Sequence, residues 1–241
     1  MTEFQTGVIR PVECMKEGWE LIKNDYWLIF GITIVGLLIG GLIPFGLGIG
    51  AMFCGIYYVI LRKMDNQPVE FGDLFKGFNF FVPGLIASLV VIIPTIVSVF
   101  VVYGSMVAFI LGAANTNRSA QEGVIVGMFV TLFIEAVIVS LVLSCLHALI
   151  MFAYPLIVER NLGGLEAFKL SARAVWANLS GVIGIILVEF AMGIVGYMAL
   201  VIGVYFVLPI MFAGVAVAYR RVFPSQQSFP NPPSPDFYQG I

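Results

Sequence analysis

The sequence predicts an all-α, polytopic membrane protein: a bundle of about six transmembrane helices with amphipathic helices at the membrane surface. Hydrophobic residues make up 60% of the 241 residues and charged residues 11%, whereas soluble proteins have roughly 45–50% and 25%. Long stretches, such as 26–61 and 77–117, contain no charged residue. Too few charges are present to cover a water-soluble surface, so the chain belongs in a bilayer.

The first element, residues 11–25, has the spacing of an amphipathic helix. Val12, Met15 and Trp19 recur at steps of three and four, with charged residues on the other face. Segments 69–80 and 163–178 repeat this pattern. Helices of this kind lie in the headgroup layer, anchored by aromatic side chains. The alternative is that each segment is simply the water-exposed first turn of the membrane span that follows it. The expected anchors are Trp19, Tyr26, Trp27, Phe75, Phe78 and Trp176.

A hairpin of two spans follows each amphipathic segment: hairpins 27–61, 82–153 and 179–219. At 1.5 Å per residue, the charge-free stretch 26–61 would be about 54 Å long, too long for one crossing of a core of about 30 Å. We therefore expect turns near Gly40–Pro44 and Gly196–Gly203 and at the polar loop 113–122, with kinks at Pro94 and Pro155. The six predicted spans are 27–43, 45–61, 82–111, 123–153, 179–197 and 203–219.

The positive charges predict the orientation. With six spans, eleven of the twelve Lys and Arg residues share one side of the membrane, and Arg118 alone faces the other. Cations concentrate in cytoplasmic loops, so both termini are expected in the cytoplasm and the protein in a bacterial inner membrane. Residues 1–223 form a single integral membrane domain in this interpretation. Residues 224–241, rich in proline, form an extended or disordered cytoplasmic tail.

Small residues four apart predict close helix contacts in the membrane, within the bundle by default or in a homodimer. The first and third hairpins also resemble each other: Met52-Phe53-Cys54-Gly55 parallels Met211-Phe212-Ala213-Gly214, and Arg62 parallels Arg221. This pattern indicates parallel internal repeats. The predicted packing glycines are Gly36 and Gly40, Gly46 and Gly50, and Gly123 and Gly127.

Two carboxyl groups lie near the predicted midplane, Glu135 in the fourth span and Glu189 in the fifth. A charge at that depth is expensive, so such residues are candidates for function. They would share a proton as a relay or bind a cation. The alternative is two neutral acids, each hydrogen-bonded inside the bundle, for example Glu135 to Thr131.

The single histidine, His147, shares a helix face with Ser140 and Ser144. One imidazole suffices to hold a haem or chlorin metal, but a hydrogen-bonded histidine near the interface is the favoured explanation. Three cysteines without paired spacing predict neither a disulfide framework nor a zinc site. We therefore expect no cofactor and no structural metal.

Several function classes are disfavoured. The chain has no G-x-S-x-G, H-E-x-x-H, P-loop or C-x-x-C motif, so no enzyme is predicted. A net charge of -2 gives no basic excess for nucleic acid.

One group of residues indicates a family. Pro155-Leu156-Ile157-Val158-Glu159, Gly164-Leu165-Glu166-Ala167-Phe168 with Ser171, Pro209, and Tyr219-Arg220 resemble an uncharacterised family of bacterial multi-pass membrane proteins. That family is similar to the membrane domain of some glycerophosphodiester phosphodiesterases. The resemblance implies six membrane helices with interfacial helices and brings no catalytic residue. The phosphodiesterase domain has no counterpart in this sequence.

The expected function is therefore non-enzymatic: a subunit, assembly factor or lipid-interacting scaffold of a membrane complex. Its partners would be membrane lipids and other membrane subunits, or copies of itself. The alternative is a small transporter or channel that uses Glu135 and Glu189.

Overall fold

A computed structural model describes residues 4–199 and 202–225. Within these residues every regular element is a helix and no strand occurs, so the all-α prediction is confirmed. From residue 226 onward, the predicted tail lies outside the described residues. Short 3-10 helices at Lys23–Asp25, Pro44–Gly46 and Phe71–Phe80 join the α-helices. The α-helices are α1 (Pro11–Ile22), α2 (Tyr26–Leu42), α3 (Ile49–Met64), α4 (Phe81–Ala114), α5 (Arg118–Ile150), α6 (Ala153–Arg160), α7 (Gly164–Ala177), α8 (Leu179–Met198) and α9 (Gly203–Val222).

The chain forms two compact units. One, called the bundle below, combines the described residues up to 87 with those from 150 onward. The other, called the hairpin, is residues 88–149, in which parts of α4 and α5 are joined by a short polar linker. Each unit is considered by itself.

Five helical stretches are long and apolar enough to cross a membrane, so the chain is a membrane protein. The second predicted span, α3, is shorter than the others, with 16 residues and Arg62 and Lys63 in its last turn. It nevertheless runs back along α2, because Gly40 lies against Ile49 and Gly36 lies against Ile56. The number six thus stays a prediction. The five stretches are Pro11–Leu42, Phe71–Ala114, Ala120–Arg160, Leu179–Met198 and Gly203–Val222.

The first hairpin turns close to the predicted place. Ile43 is extended, Pro44 starts a 3-10 turn, and Gly46 has a φ of 69°, which glycine adopts at little cost. The predicted loop 113–122 was too long, because α4 continues to Ala114 and α5 already begins at Arg118.

The two prolines expected to bend the helices behave differently. Pro94 lies inside α4, which continues past it. Near Pro155 the helix is interrupted: α5 ends at Ile150 and α6 begins at Ala153. A proline has no N–H for the carbonyl four residues earlier and crowds it, and for Pro155 that carbonyl belongs to Met151, at the interruption.

The bundle is built around α3, α6 and α9, called the inner helices below. Aromatic side chains join them: the Phe53 ring lies 5.1 Å from that of Tyr154 and 5.4 Å from that of Phe212. Phe53 meets Phe212, and Asp65 pairs with Arg220 further along, so α3 and α9 run in the same direction. Each inner helix has basic residues in its last turn.

Candidate functional site

The first amphipathic helix, α1, packs on α9 through contact of two backbones. A methyl group added to Gly18 would lie 2.6 Å from the backbone nitrogen of Gly214. The buried side of α1 includes Cys14, Met15 and Ile22. This face of the helix is therefore covered by protein, a contact that the sequence pattern did not predict.

The second amphipathic segment, Phe71–Phe80, packs on α3 in a similar way. A methyl group added to Gly77 would lie 2.2 Å from the Ala51 carbonyl oxygen and 2.6 Å from the backbone nitrogen of Gly55. The start of the segment is fixed by Asp73, whose side chain accepts a hydrogen bond of 2.9 Å from the Glu70 backbone N–H. Only glycine permits so close an approach at Gly55 and Gly77.

The third amphipathic segment, α7, packs on α6. Here a hydrogen bond replaces the glycine pair: the Phe152 backbone N–H donates to the Ser171 hydroxyl over 3.1 Å, and both residues are fully buried. Phe152 follows the interruption between α5 and α6, so this hydroxyl accepts from a backbone group at the start of α6.

The three contacts follow one rule. The segments Phe71–Phe80 and α7 each pack on the helix that precedes them, α3 and α6, and α1 packs on α9. A small residue on each inner helix stands seven residues before an arginine in the sequence. The three pairs are Gly55 and Arg62, Ala153 and Arg160, and Gly214 and Arg221. The parallel repeats of the first and third hairpins stay a prediction.

Ion pairs connect the segments to the inner helices. Arg221 lies 2.6 Å from Glu17 and 3.4 Å from Glu13 of α1, and Arg62 lies 3.5 Å from Asp73. The amphipathic segments and the basic ends of the inner helices are together called the collar below. Arg160 differs, because its guanidinium lies over the Phe223 ring at 5.0 Å.

Arg220 joins the three inner helices at the collar. One of its terminal nitrogens lies 2.9 Å from Asp65, after α3, and 2.9 Å from Glu159 of α6. The three side chains are 14%, 18% and 13% exposed. At that burial, each charge depends on the others for compensation.

Asn178, between α7 and α8, holds the N-terminal segment. Its side-chain oxygen accepts from the Gly7 backbone N–H at 2.8 Å, and its side-chain nitrogen donates to the Gln5 and Ala174 carbonyls at 3.0 and 2.9 Å. Another asparagine, Asn24, stands two residues before α2. Asn24 is exposed and Asn178 is 4% exposed, so the two do not share this role.

The predicted aromatic anchors lie on the outside of the collar or next to it. Tyr26 is half-buried, and its hydroxyl donates to the Phe206 carbonyl at 2.7 Å. The other five are exposed: Trp19 40%, Trp27 71%, Phe75 44%, Phe78 42% and Trp176 67%. Each amphipathic segment thus holds the bundle with one face and presents aromatic side chains on another.

The two intramembrane carboxyls lie in different units. Glu135, in the hairpin, accepts a hydrogen bond of 2.9 Å from the Ser105 hydroxyl of α4. This partner lies across the helix pair, whereas the sequence suggested Thr131. Glu189, on α8 of the bundle, is half-buried.

The polar row of α5 is on the surface: Ser140, Ser144 and His147 are all exposed. The described residues contain no group of three or more His, Cys, Asp or Glu placed to hold a metal ion. Cys14 and Cys54 are buried and Cys145 is exposed, all three as free thiols.

The predicted packing glycines separate into two classes. Gly36 and Gly40 lie against α3 as expected, Gly46 makes the turn, and Gly50 is approached by Gly84 of α4. In the hairpin, a methyl group added to Gly127 would lie 3.8 Å from the Phe109 ring, and one added to Gly123 would meet nothing within 4 Å.

Sequence reasoning missed the groups that organise the collar: Gly18, Gly77, Arg220 and Asn178. The interval of seven between a small residue and an arginine was a usable signal on the inner helices. For Gly18 and Gly77 no such signal existed, because a glycine in an amphipathic segment carries no mark of the backbone it meets.

Comparisons of the chain with protein-family models, with curated proteins and with solved structures give no match. The resemblance to the bacterial multi-pass family therefore stays a prediction, and the geometry of the collar is the basis for inferring a function.

Proposed function

We propose that this chain is a non-enzymatic, multi-pass protein of a bacterial inner membrane, and that it acts as a lipid-interacting scaffold within a membrane complex. The collar lies at the cytoplasmic surface in this proposal, with both termini on that side. Eleven cations on the collar side, against Arg118 on the other, support this orientation.

One observation carries the proposal: the two-faced amphipathic segments. Their small and apolar residues pack on the inner helices, while Trp19, Phe75 and Trp176 remain exposed beside them. Indole and phenyl rings at that position favour the headgroup layer. The amphipathic segments thereby hold the bundle together with one face and attach it to the lipid surface with the other.

The use of charge in the collar also supports a structural role. Asp65 and Glu159 pair with Arg220, and Glu13 and Glu17 pair with Arg221. These ion pairs connect the inner helices to one another and to α1. A general acid or base would instead need an accessible partner in a cleft.

The depth of the tryptophans tests the proposal. The chain has three, Trp19, Trp27 and Trp176, so variants with a single tryptophan are made by changing the other two to Phe. Reconstituted into vesicles that contain anionic lipid, the variants with Trp19 or Trp176 alone are expected to be quenched by lipids brominated near the headgroup.

A matched control comes from the hairpin. Phe133 of α5 is 71% exposed, and Phe133→Trp in a chain without other tryptophans is expected to be quenched by lipids brominated deep in the acyl chain. If aqueous iodide quenches Trp19 and Trp176 and shallow bromine does not, the collar is in water and the proposal is wrong. Mild solubilisation followed by native electrophoresis then tests for the complex: a single chain without bound lipid or protein contradicts it.

The alternative, a small transporter or channel, requires Glu135 and Glu189. It predicts a pH-dependent flux of protons or cations in liposomes that Glu135→Gln combined with Glu189→Gln abolishes. The scaffold proposal predicts no such flux in the unaltered protein.

A further inference from the structure

A cavity of about 470 Å³ opens beside α7 of the bundle. Its walls are the start of α7, the Ile86 side chain from the bundle part of α4, and two cationic side chains of α7, Lys169 and Arg173. The two helices meet tightly at Gly164, which also lines the cavity, because a methyl group added there would lie 2.2 Å from the Pro83 carbonyl oxygen. The packing of α7 on α4 therefore fixes the cations beside an apolar wall.

The charges of α7 distinguish it from the other two amphipathic segments. Helix α1 has two more acidic than basic residues, and its Glu13 and Glu17 pair with Arg221. In Phe71–Phe80 the single Asp and the single Lys pair with each other over 2.7 Å. Helix α7 has one more basic than acidic residue, and Lys169 has no ion pair among the described residues. Of the three segments, α7 alone therefore carries an excess of positive charge.

The apolar wall of the cavity indicates a lipid rather than a soluble anion. Ile86 is 41% exposed on a stretch long and apolar enough to cross a membrane, and Leu165, which also lines the cavity, is 53% exposed. Lys169, Arg173 and Trp176 fall within about 60° of arc on α7, at about 100° per residue, and Trp176 is one of the exposed aromatic anchors. The cavity thus combines cations with an apolar surface, as a phospholipid combines a phosphate with acyl chains.

We propose that this cavity binds the headgroup phosphate of an anionic phospholipid. Lys169 and Arg173 bind the phosphate through their ammonium and guanidinium groups, while the acyl chains run past Ile86 and Leu165. The proposal rests on the proposed function, because it requires α7 in the headgroup layer. It extends that function by naming the class of lipid and the side chains that select it.

The selectivity follows from net charge. A zwitterionic lipid carries an amine beside its phosphate, and this amine offsets the attraction of the phosphate to Lys169 and Arg173. An anionic lipid brings a net negative charge. Two cations, partly offset by Glu166 on the same wall, are expected to favour the anionic lipid by roughly fivefold.

Quenching of Trp176 tests the proposal. Trp19→Phe combined with Trp27→Phe leaves Trp176 as the only tryptophan, and the full chain is reconstituted into zwitterionic vesicles with increasing fractions of a lipid brominated near the headgroup. Brominated phosphatidylglycerol is expected to reach half of its maximal quenching at a roughly fivefold lower mole fraction than brominated phosphatidylcholine. Lys169→Gln combined with Arg173→Gln is expected to remove this difference.

The matched control removes two cations elsewhere in the collar. Lys16→Gln combined with Lys23→Gln changes α1 and the turn after it, and Trp176 is expected to keep its preference for the anionic lipid. A preference that survives without the two cations of α7, or that the control removes as well, overturns the site. Loss of the preference when inorganic phosphate is added at constant ionic strength overturns the lipid as its occupant.

The lipid site and the scaffold role fail in different ways. Equal quenching of Trp176 by the two brominated lipids leaves α7 in the headgroup layer and overturns the selective site alone. If neither lipid quenches Trp176 and aqueous iodide does, α7 lies in water, and both the site and the scaffold proposal are wrong.

Discussion

The bundle and the hairpin are made of similar apolar residues but use them differently. In the bundle, glycines bring backbones into contact: a methyl group at Gly55 would lie 2.1 Å from the Leu74 carbonyl oxygen. In the hairpin, a methyl group at Gly104 or Gly112 would meet nothing within 4 Å. Many large apolar side chains of the bundle are buried, whereas those of the hairpin, such as Phe133, are largely exposed.

The difference teaches that hydrophobic composition does not distinguish an interior from a lipid-facing surface in a membrane protein. Lipid tails are as apolar as leucine, so what distinguishes the bundle is close packing and paired charge.

The largest expected effect breaks the charge pairing of the bundle. Arg220→Met leaves Asp65 and Glu159 without their partner, and uncompensated carboxylates at this burial are expected to lower the free energy of unfolding by about 3 kcal/mol. The measurement is reversible unfolding in mixed micelles. Lys23→Met is the control, since Lys23 pairs with Glu20 in an exposed position and its loss is expected to cost less than about 0.5 kcal/mol. Equal losses of unfolding free energy would mean that the ion pairs of Arg220 do not hold the inner helices together.

The next effect tests the glycine contacts. Gly55→Ala forces the Phe71–Phe80 segment away from α3 and is expected to cost about 1–3 kcal/mol. Gly104→Ala, in open space on α4, is expected to be neutral or to stabilise by up to about 1 kcal/mol, because alanine favours the helix. Thermal unfolding in the same detergent compares the two. If Gly55→Ala is also neutral, the close packing of the collar is not what stabilises the bundle.

The smallest effect concerns the polar contact of the hairpin. Glu135→Gln keeps an oxygen that accepts from Ser105, so we expect a change in unfolding free energy below about 1 kcal/mol. Glu135→Leu removes the oxygen that accepts from Ser105, although the Ser105 hydroxyl can still donate to the Val102 carbonyl. A large loss from Glu135→Gln would show that the carboxylate itself is required, and would favour the transport alternative.

Several elements were predictable because local chemistry decides them. Two amphipathic segments appear as α-helices close to 11–25 and 163–178, since the 3.6-residue period of apolar side chains is local. The segment predicted at 69–80 is helical too, but as the 3-10 helix Phe71–Phe80. The turn at Pro44 and Gly46 follows from the backbone preferences of those residues. The loop 113–122 was overestimated because a polar residue marks exposure to water, and an exposed residue such as Glu122 can still be helical.

The candidate site was predictable only in part. The exposed aromatics Trp19 and Trp176 were found from their position in the helix period, but the glycines of the same segments were not recognised. The pairing of Glu135 with Glu189 rests on their similar depth alone, and it stays a prediction. Depth is one coordinate, and two residues at one depth meet only if their helices are neighbours and their faces converge.

The sequence by itself determined that the chain is helical, that it belongs in a membrane, and which segments are amphipathic. Composition and periodicity are enough for this because each residue contributes through its own side chain and its near neighbours. Only the tertiary structure decided that α1 closes on α9, that Arg220 joins Asp65 to Glu159, and that Ser140 and Ser144 stay exposed. These contacts join residues far apart in the chain, and their energies depend on distances of a few ångströms that no local pattern encodes.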